Sequence, residues 1–191
     1  MSADAITLLF TGAPASADKF TPGMATTALV RSGGRTLVFD PGPYAYRPIL
    51  LGRLKALGLT PADIDTVVLS HVHWDAASNA DLFPKAEVIL HERELAYAED
   101  QARHDAQTAG YIGRVLRKSK LRTVTGDCDL GSGLRLMDLP GHTPGTLGLL
   151  VGDALLAGDA VACARDAATG RAGMGPQDQS LANDSLARAL A

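Results

Sequence analysis

Little in this sequence serves crosslinking, base stacking or long-range charge attraction. Cysteine occurs twice, as Cys128 and Cys163, in unrelated contexts. Neither belongs to a close pair, which excludes a zinc knuckle or a thioredoxin-like motif and reads as reduced thiols in a cytosolic protein. Aromatic residues make up 5% of the chain, with a single tryptophan, too few for a platform on which bases stack. The formal net charge is −3 and the 18 basic residues are scattered. A general attraction to nucleic acid is therefore disfavoured. No run approaches the roughly 18 to 20 apolar residues of a membrane span. The opening Met1-Ser2-Ala3-Asp4 lacks the basic and apolar regions of a signal peptide, so a cytoplasmic protein is expected.

What the chain has in quantity is glycine, alanine and leucine. With 46% hydrophobic residues over 191 positions, it fits one domain, residues 1–191, with a sizeable core. Residues 6–10 form a short apolar run, and the β-prone runs 25–30 and 36–39 flank the turn Ser32-Gly33-Gly34, predicting a strand and a hairpin. Tyr46, Ile49, Leu50, Leu54 and Leu57 follow helical spacing up to Gly58. Thr60-Pro61 opens a further helical turn. The β-branched run 66–69 predicts a buried strand. Strands are also expected at 88–90, 122–125, 134–138, 146–151 and 154–157, and helices at 92–99, 105–118 and 181–190, the last after a polar stretch at 165–178. The pattern is mixed α/β.

The chemistry concentrates just past strand ends. Strand 66–69 runs into Ser70-His71-Val72-His73-Trp74-Asp75. Two histidines two apart on an extended loop can turn both imidazoles toward one metal, and a carboxylate two positions on can reach a neighbouring metal or its bound water. Downstream come Leu139-Pro140-Gly141-His142-Thr143-Pro144-Gly145 and Leu156-Ala157-Gly158-Asp159, and upstream Phe39-Asp40-Pro41-Gly42. Each fragment is weak alone. Their order, and their shared place after strands, is not.

Together these motifs resemble those of the metallo-β-lactamase superfamily, over nearly the whole chain. The resemblance implies a four-layer αββα sandwich carrying one or two metals. It implies that His71, His73 and His142 are the histidine ligands of a first zinc, Asp159 the bridging carboxylate and Asp75 the second-site aspartate and general base. Asp40 matches an early aspartate that orients a ligand histidine from behind. Ala76-Ala77-Ser78-Asn79 and Leu82-Phe83-Pro84 also resemble the stretch after the family's loop.

Two departures stand out. The family places a histidine directly after the aspartate, where this chain has Ala76, and it supplies a last ligand beyond a strand that would follow Ala191. One Zn2+ is therefore expected rather than two, with hydrolysis weakened; iron or manganese also suit such ligands. Ala76 and the short end read equally as engineered changes or as natural loss. A missing terminal strand would leave a sheet edge uncovered, consistent with a homodimer. The expected activity is water attack on a carbonyl of a small-molecule lactone, ester or thioester. The alternatives are a silent metal-binding or interaction protein of the same fold, and a phosphodiesterase or nuclease relative. Outside the motif, His91 is expected to cap or support rather than ligate, His104 to be solvated and Cys163 to fill a small buried space. Trp74 is expected to pack beneath its loop, with Tyr111 and Arg114 on a helix expected to border the pocket.

Overall fold

Alternation along the strands sets the layers. Leu29, Val38, Val67, Val88 and Leu90 face one side of a sheet and join one core. Ala28, Val30, Leu37, Phe39, Val68 and Ile89 face the other and join a second. Strands buried on both faces read as continuous apolar runs, which is how 66–69 and 88–90 stand out in the sequence.

A computed structural model of the chain describes residues 5–13, 23–100, 108–173 and 175–191. Its first sheet has six strands in chain order: β1 Ala5–Phe10, β2 Thr27–Ser32, β3 Arg35–Phe39, β4 Thr66–Val68, β5 Glu87–His91 and β6 Lys120–Val124. The first three are antiparallel and β3 to β6 are parallel. The second sheet is antiparallel: β7 Cys128–Gly131, β8 Leu134–Asp138, β9 Leu147–Val151 and β10 Ala154–Leu156, in the order β10-β9-β8-β7. Leu134, Leu136, Leu147, Leu149 and Val151 close on the first sheet to make the inner core.

Helices cover the outside. α1 Arg47–Ala56, α2 Trp74–Ala77, α3 Glu92–Glu99 and α4 Gly113–Lys118 lie over the first sheet, contributing Leu50, Leu54, Ala77, Tyr97, Val115 and Leu116 to its outer core. On the other side come α5 Ala164–Thr169 and α6 Gln179–Ala189. There Ser185 Oγ donates to the Pro140 carbonyl (2.6 Å) and Arg188 to that of Asp138 (2.7 Å). The expected αββα sandwich is the architecture.

Gly58 stops α1 with φ +72°, as a left-handed position after a helix requires. Two elements have little signature in the sequence. In β7 the one buried residue is Leu130, and its register shifts between Asp129 and Gly131. α5 occupies part of the stretch read as polar, and it buries Asp166 instead of an apolar stripe. The hairpin's first strand begins at Thr27 rather than at 25. Of the helix expected at 105–118, the described part is a π-helical turn, Thr108–Ile112, leading into α4; its start and His104 lie outside the described residues. Among the described residues no helix is long and apolar enough to cross a membrane.

Candidate metal centre

The main-chain ladder of the first sheet continues one residue beyond β4, through Leu69 N–H to the Ile89 carbonyl (2.9 Å). Leu147 N–H then donates to the Ser70 carbonyl (2.8 Å), tying this strand end to the second sheet. His71 therefore emerges where the two sheets meet, fully buried. His142 joins it from the turn after β8, and the partly exposed His73 completes the group.

The three imidazoles stand mutually perpendicular. Ring centroids are 4.6, 4.8 and 4.9 Å apart, with interplanar angles of 88°, 88° and 85°. One nitrogen from each lies within 4.8 Å of the others. His142 Nε2 is 3.0 Å from His73 Nδ1, while His71 Nε2 and His142 Nδ1 are buried without a hydrogen-bond partner among the described residues. Orphaned polar atoms at such depth are costly unless something completes them. Burial and the other two histidines hold His71 well below the usual imidazole range. Burial lowers His142 too, against the pull of Asp159. Three imidazoles with converging ring nitrogens are the donor set of a zinc site with a position left open. The residues fit a metal.

Behind the histidines lies a set of hydrogen bonds. Ser70 Oγ is 2.8 Å from His71 Nδ1 and donates to Asp40 Oδ2 (2.6 Å), while Ser70 N–H donates to Asp40 Oδ1 (2.7 Å). Asp40 ends β3 at φ +46°, a left-handed conformation unusual for a non-glycine residue. Burial pushes its carboxyl up to about 8, outweighing the two Ser70 bonds. On the far side, Tyr97 Oη lies 3.1 Å from His73 Nε2 and accepts from Gln177 Nε2 (2.5 Å). Glu94, fully buried on the same helix, accepts from Val72 N–H (3.0 Å) and Gly145 N–H (2.7 Å). Burial raises its carboxyl to about 7.

Asp159 Oδ2 is 3.3 Å from His142 Nε2. Its approach depends on Gly158, at φ +53°, where a Cβ would stand 2.6 Å from that of Ser70. Asp75, on α2 and 8% exposed, lines a cleft of about 380 Å³ together with Asp159. The cleft's other walls include Met24, Phe39, Leu156, Val161 and Leu190. Ala76 is buried beside Asp75, its carbonyl accepting from Gly42 N–H (2.9 Å), and it offers no donor atom to a metal.

The structure thus brings His71, His73, His142 and Asp159 together, sets Asp75 in the adjoining cleft and puts Asp40 behind Ser70. Sequence reasoning passed over Ser70, Glu94 and Tyr97. Ser70 directly precedes the motif, and Glu94 and Tyr97 are three apart on one helix face, but nothing local says what that face meets. His91 caps α3, its Nδ1 accepting from Arg93 N–H (3.0 Å). Cys163 does not fill a buried space: it is partly exposed, with Sγ 3.3 Å from Asp166 Oδ1. Trp74 is partly exposed as well. Tyr111 Oη is 3.4 Å from Arg47 Nη2, and Arg114 is exposed.

The sequence profile of the metallo-beta-lactamase superfamily matches residues 20–190. The N-acyl homoserine lactonase AiiB of Agrobacterium fabrum is 35% identical over 108 residues, 52% of this chain and 39% of that protein. Metallo-beta-lactamase domain-containing protein 1 of Xenopus laevis is 29% identical over 140 residues, 70% of this chain and 53% of that protein. The chain thus spans about two fifths to one half of the length of these relatives. A Bacillus thuringiensis AiiA variant, solved with N-decanoyl-L-homoserine at its active site, superposes with a TM-score of 0.74. It shares 20% identity over 91% of this chain and 78% of that one, a likeness of fold. Profile, fold and histidine geometry agree: the chain belongs to the metallo-β-lactamase superfamily.

Proposed function

We propose that the protein is a metal-dependent hydrolase that holds one zinc ion on His71, His73 and His142 and opens a small lactone by water attack at its carbonyl. The observation that carries this reading is the perpendicular histidine trio with its buried, unpartnered His71 Nε2. When bound, a zinc ion on three imidazoles lowers the pKa of water to about 7 and polarises a carbonyl oxygen. Asp159 stands beside His142 and adds negative charge to the site. Asp75 is the base: it accepts a proton from the water as that oxygen bonds to the carbonyl carbon, and it returns the proton to the ring oxygen as the ring C–O bond breaks. The apolar cleft walls at Met24, Phe39, Leu156, Val161 and Leu190 suit an acyl chain. The names of the similar lactonases favour a lactone over the ester and thioester that the same chemistry serves.

A single ion is proposed because position 76, where the family pattern has a histidine, is an alanine that offers no donor atom. That same residue favours a second reading, a protein that retains metal without turnover. Iron or manganese would satisfy the same donors.

Elemental mass spectrometry on protein purified without added metal, followed by assay on a chromogenic lactone, separates the readings. About one zinc per chain, with turnover abolished by chelator and restored by zinc, is expected. Metal without turnover above free zinc supports the second reading; no metal under any loading condition sinks both. The variant Ala76→His should change metal content or rate, and an unchanged protein would remove the case for a single ion.

A further inference from the structure

Glu94 is a buried carboxylate aimed at neither solvent nor substrate. A glutamate three residues after a helix N-cap ordinarily turns back to the N-cap amide. Glu94 stands at that position behind His91, yet Oε2 accepts from Val72 N–H (3.0 Å) and Oε1 from Gly145 N–H (2.7 Å). The Thr143 hydroxyl also bonds to it. Val72 lies between His71 and His73; Thr143 and Gly145 follow His142. One loop leaves the first sheet and the other leaves the second, so a single carboxylate spans the junction on which all three ligands sit.

Gly145 fits the same design. A Cβ there would lie 3.0 Å from Glu94 Cγ and 3.1 Å from Oε1, so a side chain would push the second loop off the carboxylate. One helical turn further along α3, Tyr97 meets His73 Nε2 (3.1 Å). α3 therefore supports the histidine group at two points.

We propose that Glu94 is a positioning residue that presets the three-histidine site for metal, so that zinc affinity depends on this carboxylate although it touches neither metal nor substrate. The proposal rests on reading the histidine trio as a metal site. Partners that hold ligands in place typically contribute 10- to 100-fold in metal affinity. In Glu94→Gln the shape is kept, but one oxygen is replaced by an NH2 group that faces an N–H donor.

The test is zinc affinity by competition with a chromophoric chelator, on wild type, Glu94→Gln and the control Asp65→Asn. Asp65 accepts from Thr36 N–H (2.8 Å) in an exposed position outside the site, so the control makes the same acid-to-amide change in a carboxylate that accepts a backbone N–H elsewhere. The expected result is a roughly 10- to 100-fold loss for Glu94→Gln, none for Asp65→Asn, and cooperative unfolding of both metal-free variants. Wild-type affinity in a folded Glu94→Gln overturns the proposal. Hydrogen exchange on metal-free wild type decides independently of the variant's folding. Val72 and Gly145 amides should be strongly protected, and rapid exchange at either overturns the clamp. Wild type that binds no zinc defeats the metal-centre reading, while amide protection still decides whether the clamp exists.

Discussion

Replacing Asp40 by asparagine should weaken zinc binding without unfolding the protein, because it reverses the direction of a short hydrogen-bond chain. With Asp40 ionised, Ser70 Oγ must donate to Oδ2 (2.6 Å), so it can only accept from His71 Nδ1–H (2.8 Å). That fixes the tautomer in which Nε2, the atom facing the other histidines, has a free lone pair. In Asp40→Asn the amide NH2 donates to Ser70 Oγ, whose proton then turns to His71 Nδ1, and the imidazole's own proton moves to Nε2. Zinc must displace that arrangement at the cost of one mispaired buried hydrogen bond, about 1 to 3 kcal/mol. This corresponds to about 5- to 150-fold in affinity. The comparison belongs at pH 8.5, above the value of about 8 to which burial pushes the carboxyl. The amide oxygen still accepts from Ser70 N–H, and a costly buried carboxylate is gone, so the metal-free variant should melt no lower than wild type. Chelator competition and thermal melting read the two effects separately. Equal zinc affinity in wild type and Asp40→Asn would refute the tautomer argument; lower stability of the metal-free variant would show that Asp40 acts on the fold instead.

Other substitutions probe the remaining supports. Tyr97→Phe removes the hydroxyl beside His73 Nε2 and should speed zinc release roughly fivefold, from a bond of about 1 kcal/mol, as followed by stopped-flow chelator capture; an unchanged rate would dismiss that contact. Gly141→Ala places a Cβ 2.2 Å from the Ala182 nitrogen at φ +129° and should cost about 3 kcal/mol or more in denaturant unfolding, so a loss below about 1 kcal/mol would mean that α6 yields easily. Burial opposes ionisation of Glu94, so the folded carboxyl keeps its proton up to about 7 while the unfolded one releases it near 4.5. Its contribution to metal-free stability is thus present below 4.5 and lost as pH rises through 7. Wild type should lose stability relative to Glu94→Gln across that window, by at most about 1.4 kcal/mol per pH unit, and level off above it. A flat difference from pH 4.5 to 7.5 would contradict this.

The histidine trio was legible as a candidate metal site because chelation needs a local pattern: His71 and His73 two apart, each fragment just past a strand. The central strands were legible because burial on both faces leaves unbroken apolar runs such as Thr66–Val68. β7 was not, with its bulge and one buried side chain, and neither was α5, whose buried residue is an aspartate. Glu94 and Tyr97 were missed for a different reason. Their partners lie 22 and 51 residues away for Glu94 and 24 for Tyr97, a relation that tertiary packing alone creates. Ser70 gains its role from Asp40, 30 residues earlier in the chain, which the fold brings against its hydroxyl and its amide.

The histidines hang from two different sheets, His71 and His73 from β4 of one and His142 from β8 of the other. Their separation is therefore a caliper on how those sheets are seated. A slide of one over the other by half an ångström would alter the bite of the trio by a comparable amount. The aliphatic residues of the inner core, such as Leu136, Leu149 and Ile89, then set the spacing of the three imidazoles from within. Repacking that core should be read out first as altered metal affinity, ahead of any change in fold.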